Sequence, residues 1–231
     1  MPGVSEIRAR MAGIAETRKI TNAMYMISSV KMRRALREVA GTKPYFGALK
    51  ETIGELFRYL PETSNRYFRV PEPAPGGHLR HGILLVTSDK GLSGSYNRTA
   101  IHVAEDYMKK HPETVLFIIG EYGRQYFARR GIPFAPEFCY PAAFPTVSQA
   151  RHICVDLLEE YDRKALDEIN IIYTDYHSGR PSECKRNCLL PLSRSRFAST
   201  GRESEPGVKE FLPDPDTVLS GIVPSYLTGF I

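Results

Sequence analysis

The first forty residues restrict the fold of this chain most strongly, because they predict one long helix with an apolar seam. Taking alternately every third and fourth residue from position 4 to position 39 selects eleven residues, of which eight are apolar or aromatic. This is the a/d spacing of a heptad repeat, and such a seam is buried against another helix or inside a partner. At about 1.5 Å per residue the helix is roughly 55 Å long, too long to wrap around a small core.

The predicted helix is apolar on more than one side over residues 20–32. The apolar residues outside the seam are Ile20, Ala23, Met24, Met26, Ile27 and Val30. A helix that is apolar nearly all round is surrounded by protein or by lipid. Only eleven uncharged residues separate Lys19 from Lys31, whereas a membrane span needs roughly 20. We therefore expect surrounding protein, and any membrane association would be indirect.

Positive charge is concentrated in the same part of the chain. The formal net charge is +5, and residues 1–59 hold eleven Lys and Arg against five Glu. The rest of the chain is close to neutral, with twenty cationic and twenty-one acidic residues. An acidic partner is expected for the helix, which could be nucleic acid, anionic lipid or an acidic protein surface.

The remainder of the sequence alternates between predicted strands and helices. Short, continuous apolar runs predict buried strands at 83–87, 115–119 and 169–173, and amphipathic spacing predicts helices at 97–110, 121–130 and 148–161. Residues 189–192 predict a short edge strand, because Pro191 has no N–H for a central ladder. The expected fold is α/β, with a Rossmann-like, mostly parallel sheet and helices on both faces.

Proline and glycine set the predicted boundaries. A break is expected at residues 41–44, and helical spacing then continues to residue 60. We predict four parts: a coiled-coil shaft helix at 1–60, a linker at 61–81, the Rossmann-like domain at 82–212, and the start of a further shaft helix at 213–231.

A Gly-rich turn at 87–97 follows a predicted strand and opens a helix, which is where phosphates bind helix N-termini. Its spacing matches neither G-x-x-x-x-G-K-[ST] nor G-x-G-x-x-G. A tight connection that needs Gly is the simpler interpretation, with nucleotide binding as the alternative. The residues that we expect to build this turn are Ser88, Asp89, Gly91, Gly94 and Asn97.

The sequence predicts no catalytic residues, no cofactor and no metal site. Its six His are scattered, and no H-E-x-x-H or G-x-S-x-G motif occurs. Cys184 and Cys188 are four residues apart, a spacing that suits a metal on a helix, but no second ligand pair follows at finger-like spacing. No signal peptide is evident, so the four Cys are expected to be reduced thiols.

Several segments, in this order, resemble one family: the γ subunit of F-type ATP synthase, the central rotor shaft. They are residues 7–10, 17–35, 87–97, 119–124, 167–174 and 189–192. The resemblance runs from the start of the chain to about residue 230. It implies a non-catalytic subunit that couples rotation driven by proton flow to ATP synthesis, with no cofactor of its own.

The resemblance also implies partners and coupling positions. The partners are the α3β3 ring, the ε subunit and the membrane c-ring, and the location is peripheral, on the cytoplasmic side of a bacterial plasma membrane. The implied rotor–ring coupling residues are Arg8, Thr21, Asn22, Met24, Ser28, Lys31 and Met32. The family ends in a long helix antiparallel to the first. Only its beginning is present here, so we expect the first helix to lack that partner within this chain.

Two other functions are weighed against this one. The first is a Rossmann-like, nucleotide-utilising enzyme domain with a helical oligomerisation arm. The second is a basic coiled-coil adaptor that binds nucleic acid, for which affinity would fall steeply with salt. The cations of the long helix are interleaved with Met and Ile, and Tyr25 is the only aromatic residue among them, which is unlike a stacking platform for bases.

Overall fold

The structure, a computed structural model, describes residues 3–59, 65–68, 70–71, 77–177, 182–197 and 211–231. The chain divides into two compact units, Met1–Gly47 and Ala48–Ile231. Part of the predicted linker at 61–81 lies outside the described residues, and the four-part division of the chain stays a prediction.

The described elements are nine helices and strands together with two short 3-10 helices. The α-helices are α1 (Val4–Tyr59), α2 (Tyr96–Lys110), α3 (Glu121–Arg129), α4 (Val147–Asp162) and α5 (Pro215–Phe230). The strands are β1 (His81–Val86), β2 (Val115–Ile119), β3 (Glu168–Asp175) and β4 (Glu183–Leu190). The 3-10 helices are Arg66–Phe68 and Arg194–Arg196.

Helix α1 is continuous, and the break predicted at residues 41–44 is wrong. Pro44 lies inside the helix, where it removes one backbone hydrogen bond and adds a steric clash. The turn before it is held by the side chain of Thr42, whose Oγ1 donates to the carbonyl of Glu38 at 3.3 Å. The helix continues through Pro44 although Gly41 and Gly47, three residues away on either side, are also poor helix formers.

The apolar seam of α1 is exposed in this chain. In the first unit, every described residue is exposed except Ser29 and Phe46, which are half-buried. Tyr25 on the seam is 72% exposed, and Met26 beside it is 67% exposed. The burial predicted for the seam is therefore not provided by any residue that the structure describes.

The second unit contains a four-stranded sheet in the order β2-β1-β3-β4. Strand β1 runs parallel to both β2 and β3, and β4 pairs antiparallel with β3. The predicted, mostly parallel sheet is confirmed. Strand β4 is at the edge, as predicted, but it begins at Glu183 rather than at residue 189, because its first half is polar and gives no apolar signal.

Both faces of the sheet are covered, as predicted, because alternate strand residues enter two separate cores. Leu84, Phe117 and Ile171 belong to the core that also holds the buried side of α4. Ile83 and Ile118 point into the other core, together with buried residues of α2 and α3.

The last turns of α1 and the helix α5 complete the first of these cores. Ile53 and Leu56 of α1 are fully buried in it, as are Leu219 and Val223 of α5. Helix α5 begins at an Asp214 cap, whose carboxylate accepts hydrogen bonds from the backbone N–H groups of Asp216 and Thr217. The apolar side of α5 is thus used within the second unit.

Candidate coupling surface and domain turn

All seven of the predicted coupling residues lie on α1 within the first unit, and all seven are exposed. Met24 and Met32 are about half exposed, at 47% and 46%. The Oγ1 of Thr21 donates to the carbonyl of Thr17 at 2.8 Å, so this hydroxyl is satisfied within the helix. The coupling role of these residues stays a prediction, because the chain is described without a partner.

Five of the seven share one side of the helix. Residues three or four positions apart lie on the same face of an α-helix. This side, called the coupling face here, consists of Thr21, Met24, Ser28, Lys31 and Met32. Arg8 and Asn22 fall on a different side of the helix.

The coupling face is part of a broader apolar surface with cations at its end. Ile20, Ile27 and Val30 are each more than half exposed around it. Arg33 and Arg34 follow directly after Met32, and Arg34 is paired with Glu38 at 2.8 Å. An apolar surface makes few directional bonds, so a helix of this kind can be enclosed by protein without being fixed in one orientation.

The predicted turn joins β1 to α2 through a small polar network. The backbone N–H of Ser88 donates to Oδ1 of Asn97 at 2.9 Å. The amide Nδ2 of Asn97 donates in turn to the hydroxyls of Ser88 and Ser93, at 2.7 and 3.0 Å. Gly94 has a φ of +60°, a conformation that favours glycine. Gly91 has no such φ, and a Cβ there would only touch the ring of Tyr122.

Asp89 connects this turn to two other parts of the unit. Its carboxylate accepts backbone hydrogen bonds from Glu121 at 3.2 Å, Ala142 at 2.9 Å and Ala143 at 2.7 Å. Burial is the largest single influence on this carboxyl and opposes its ionisation. The three N–H groups together outweigh burial, so the pKa of Asp89 lies below its ordinary value.

These contacts give the turn a structural role, because Asp89 joins it to the start of α3. Glu121 is the first residue of α3, and a helix N-terminus is where an anion from outside would bind. Here the carboxylate of Asp89 already occupies that position. The sequence named Asp89 as a turn residue, but it did not indicate the segments that Asp89 holds.

Sequence reasoning assigned no role to three further residues at this edge of the sheet. Thr87 is fully buried, and its Oγ1 donates to the carbonyl of Ile119 at 3.0 Å while accepting from the N–H of Gly123 at 3.1 Å. Gly120 has a φ of +97°, and a Cβ built on it would lie 2.3 Å from the carbonyl oxygen of Thr87. The Gly-x-x-Gly spacing after β2 was the available signal for this close approach.

The two nearby cysteines do not form a metal site. Cys184 and Cys188 lie on strand β4 rather than on a helix, so four residues place them about 13 Å apart. Sulfur ligands of one zinc ion each lie about 2.3 Å from it. Burial is the main cause that raises the pKa of Cys188 to about 11. No group of three or more potential ligands is found among the described residues.

The geometry thus defines a class of protein: a subunit that presents an exposed, apolar and cationic helix to another chain. Comparison with known proteins narrows this class to one family. The sequence model of the family described as ATP synthase matches residues 3–231. The ATP synthase gamma chain of Caldanaerobacter subterraneus subsp. tengcongensis is 33% identical, over 99% of this chain and 80% of the relative. That of Acetivibrio thermocellus is 30% identical, over 100% and 80%.

The chain belongs to the gamma chain family of ATP synthase. The resemblance noted from the sequence is confirmed, and with it the role of a non-catalytic central-stalk subunit in a membrane-associated complex. The central stalk in the structure of the Tetrahymena thermophila mitochondrial ATP synthase central stalk and c-ring has a similar fold. Its TM-score is 0.61 at 18% identity, covering 91% of this chain and 88% of that one.

Within the described residues, no helix is both long and apolar enough to cross a membrane. Among the relatives, the gamma chain of Acetobacterium woodii is described as sodium ion specific and is 24% identical, over 99% of this chain and 79% of the relative.

Proposed function

We propose that this chain turns inside a ring of α and β subunits and couples proton flow through a membrane c-ring to ATP synthesis. The observation that carries the proposal is the exposed seam of α1. An apolar surface of this extent on a soluble protein marks a contact with another molecule, and the excess of cations along the helix suits acidic loops on that partner.

The coupling face would act through contacts that differ between the conformations of a surrounding subunit. A shaft can change the nucleotide affinity of a catalytic subunit only if it binds one conformation of that subunit better than another. The coupling face holds Met24 and Met32 together with the cation Lys31, whereas Arg8 and Asn22 lie on another side. The helix is therefore chemically asymmetric, so each subunit of a surrounding ring would meet a different side in turn.

The second unit would connect the shaft to the membrane. We propose that its α/β fold contacts the ε subunit and the c-ring, on the cytoplasmic side of a bacterial plasma membrane. The likeness in fold to a central stalk that was determined together with a c-ring supports this assignment. Residues 213–231, which contain α5 (Pro215–Phe230), are proposed as the beginning of the second shaft helix.

A charge reversal on the coupling face tests the proposal. In an ATP synthase reconstituted with this chain, Lys31→Glu is expected to lower the number of protons pumped per ATP hydrolysed about twofold, because repulsion of about 0.5 kcal/mol replaces an attraction. Met24→Lys is expected to act in the same direction, since it puts a charge into the apolar surface. Proton pumping and ATP hydrolysis are measured on the same vesicles.

The matched control is Lys43→Glu. Lys43 is an exposed lysine of the same helix, about 18 Å further along the helix axis than Lys31, and its reversal is expected to leave the ratio unchanged. Thermal unfolding of each variant shows whether stability is preserved. An unaltered ratio of protons to ATP in both Lys31→Glu and Met24→Lys would refute the proposed coupling face.

A further inference from the structure

A cleft of about 680 Å³ opens in the second unit at the amino-terminal edge of the sheet. His81 begins β1 and Glu168 begins β3, and both line the cleft. The opposite wall comes from the end of α2, with Tyr107 and Lys110. This is the edge away from the turn at 87–97, and none of the predicted coupling or turn residues lines it. A cleft of this volume is within the range of small-molecule sites.

Three rings form one wall of the cleft. The ring of His111 lies 4.1 Å from that of His81 and 4.4 Å from that of Tyr107, measured between centroids. His81 and Tyr107 are buried, whereas His111 is half-buried. His111 lines the cleft and is only half-buried, so part of its side chain is accessible to a flat ligand.

Two cations border this wall without a carboxylate partner. Lys110 is exposed at the end of α2, and Arg186 reaches from β4 over the ring of Tyr107, 4.7 Å from its centroid. In the part of the chain that the structure describes, no acidic side chain lies within ion-pair distance of either one. A lysine and an arginine that line the same cleft suit a phosphate group.

The acidic groups of the cleft leave these cations free. Glu168 accepts hydrogen bonds from the hydroxyl of Tyr107 at 3.2 Å and from Nδ2 of Asn170 at 2.5 Å. Its oxygen Oε1 is thus used by buried donors of the unit. Glu113 is exposed at the rim. His78 also lines the cleft and adds a donor that can face an anion.

Three rings form one wall of the cleft, and two cations without a carboxylate partner border it. From this juxtaposition we propose that the cleft binds a nucleoside phosphate. The phosphate lies against Lys110 and Arg186, and the base stacks on His111. Tight binding is expected to need both parts of the ligand. Phosphate alone would make no contact with the rings, and the nucleoside alone would leave the cations without a counter-charge. This site is separate from the coupling face and does not depend on the proposed rotation.

Calorimetric titration of the whole 231-residue chain with AMP tests the site. Saturable binding is expected, with AMP at least about tenfold tighter than inorganic phosphate or adenosine, since each of these lacks one of the two contacts. Lys110→Gln is expected to weaken AMP binding about tenfold by removing a charge-assisted hydrogen bond. In the NMR spectrum, AMP is expected to shift the ring resonances of His111.

Lys109→Gln is the matched control, because Lys109 is the neighbouring exposed lysine, does not line the cleft and pairs with Asp106 at 2.8 Å. It is expected to change the affinity less than twofold. Both lysines are exposed, so unchanged melting temperatures are expected for the two variants. The proposal is overturned if AMP does not saturate at millimolar concentration, if phosphate alone binds as tightly as AMP, or if both lysine variants weaken binding equally.

Discussion

Gly120→Ala is expected to destabilise the second unit by about 3 kcal/mol or more, because it combines backbone strain with a clash in the core. Gly120 has a φ of +97°, and a Cβ there would lie 2.3 Å from the carbonyl oxygen of Thr87 and 2.7 Å from its carbonyl carbon. These are backbone atoms at the end of β1, so they cannot rotate away as a side chain could. Urea unfolding followed by tyrosine fluorescence measures the loss.

Gly94→Ala separates the two causes. Gly94 also has a positive φ, of +60°, but a Cβ on it would meet nothing within 4 Å. Only the conformational cost of about 1 kcal/mol is then expected. Equal losses in the two variants would contradict the predicted close contact between Gly120 and Thr87.

Asp89→Ala is expected to lower the free energy of unfolding by about 3 kcal/mol at pH 7, because three backbone N–H groups lose a charged acceptor. The pKa of Asp89 is lower in the folded state than its ordinary value. Its contribution is therefore fully present above the unfolded pKa of about 4 and is lost as the pH falls through the folded value. Urea unfolding of the natural chain and the variant, compared at pH 7 and near pH 3, should show the difference shrinking in acid.

The control for this experiment is Asp106→Ala. Asp106 is an exposed carboxylate on α2 that pairs with Lys109 and His102. Surface pairs of this kind are screened by water and salt and contribute little, so a small change with little dependence on pH is expected. If Asp89→Ala behaved in the same way, the three backbone contacts would not hold the turn.

The strands and the covered sheet could be predicted from the sequence because their signal is local. Five consecutive apolar residues, as at 115–119, are typical of a strand that is buried on both faces. Strand β4 was predicted only over its last residues, since the polar stretch from Glu183 to Asn187 carries no such signal. The interior position of Pro44 was also not predicted, because proline and the nearby Gly41 and Gly47 are poor helix formers and locally indicate a break.

The candidate sites were predicted less completely than the fold. The residues of the turn at 88–97 could be named, but the contacts of Asp89 with Ala142 and Ala143 join segments about fifty residues apart, and no local pattern encodes them. The coupling residues were named by resemblance alone, and their role stays a prediction. The cleft at His111 has no motif, because its residues come from four separate elements.

The exposed seam also has a consequence for the chain before it is assembled. The apolar sides of two copies would attract each other, whereas the excess of positive charge in residues 1–59 makes the copies repel. Dissolved salt shortens the range of that repulsion to about 8 Å at physiological ionic strength and leaves the apolar attraction in place. The purified subunit should therefore precipitate more readily as salt is added, and its colloidal stability should be greatest in dilute buffer.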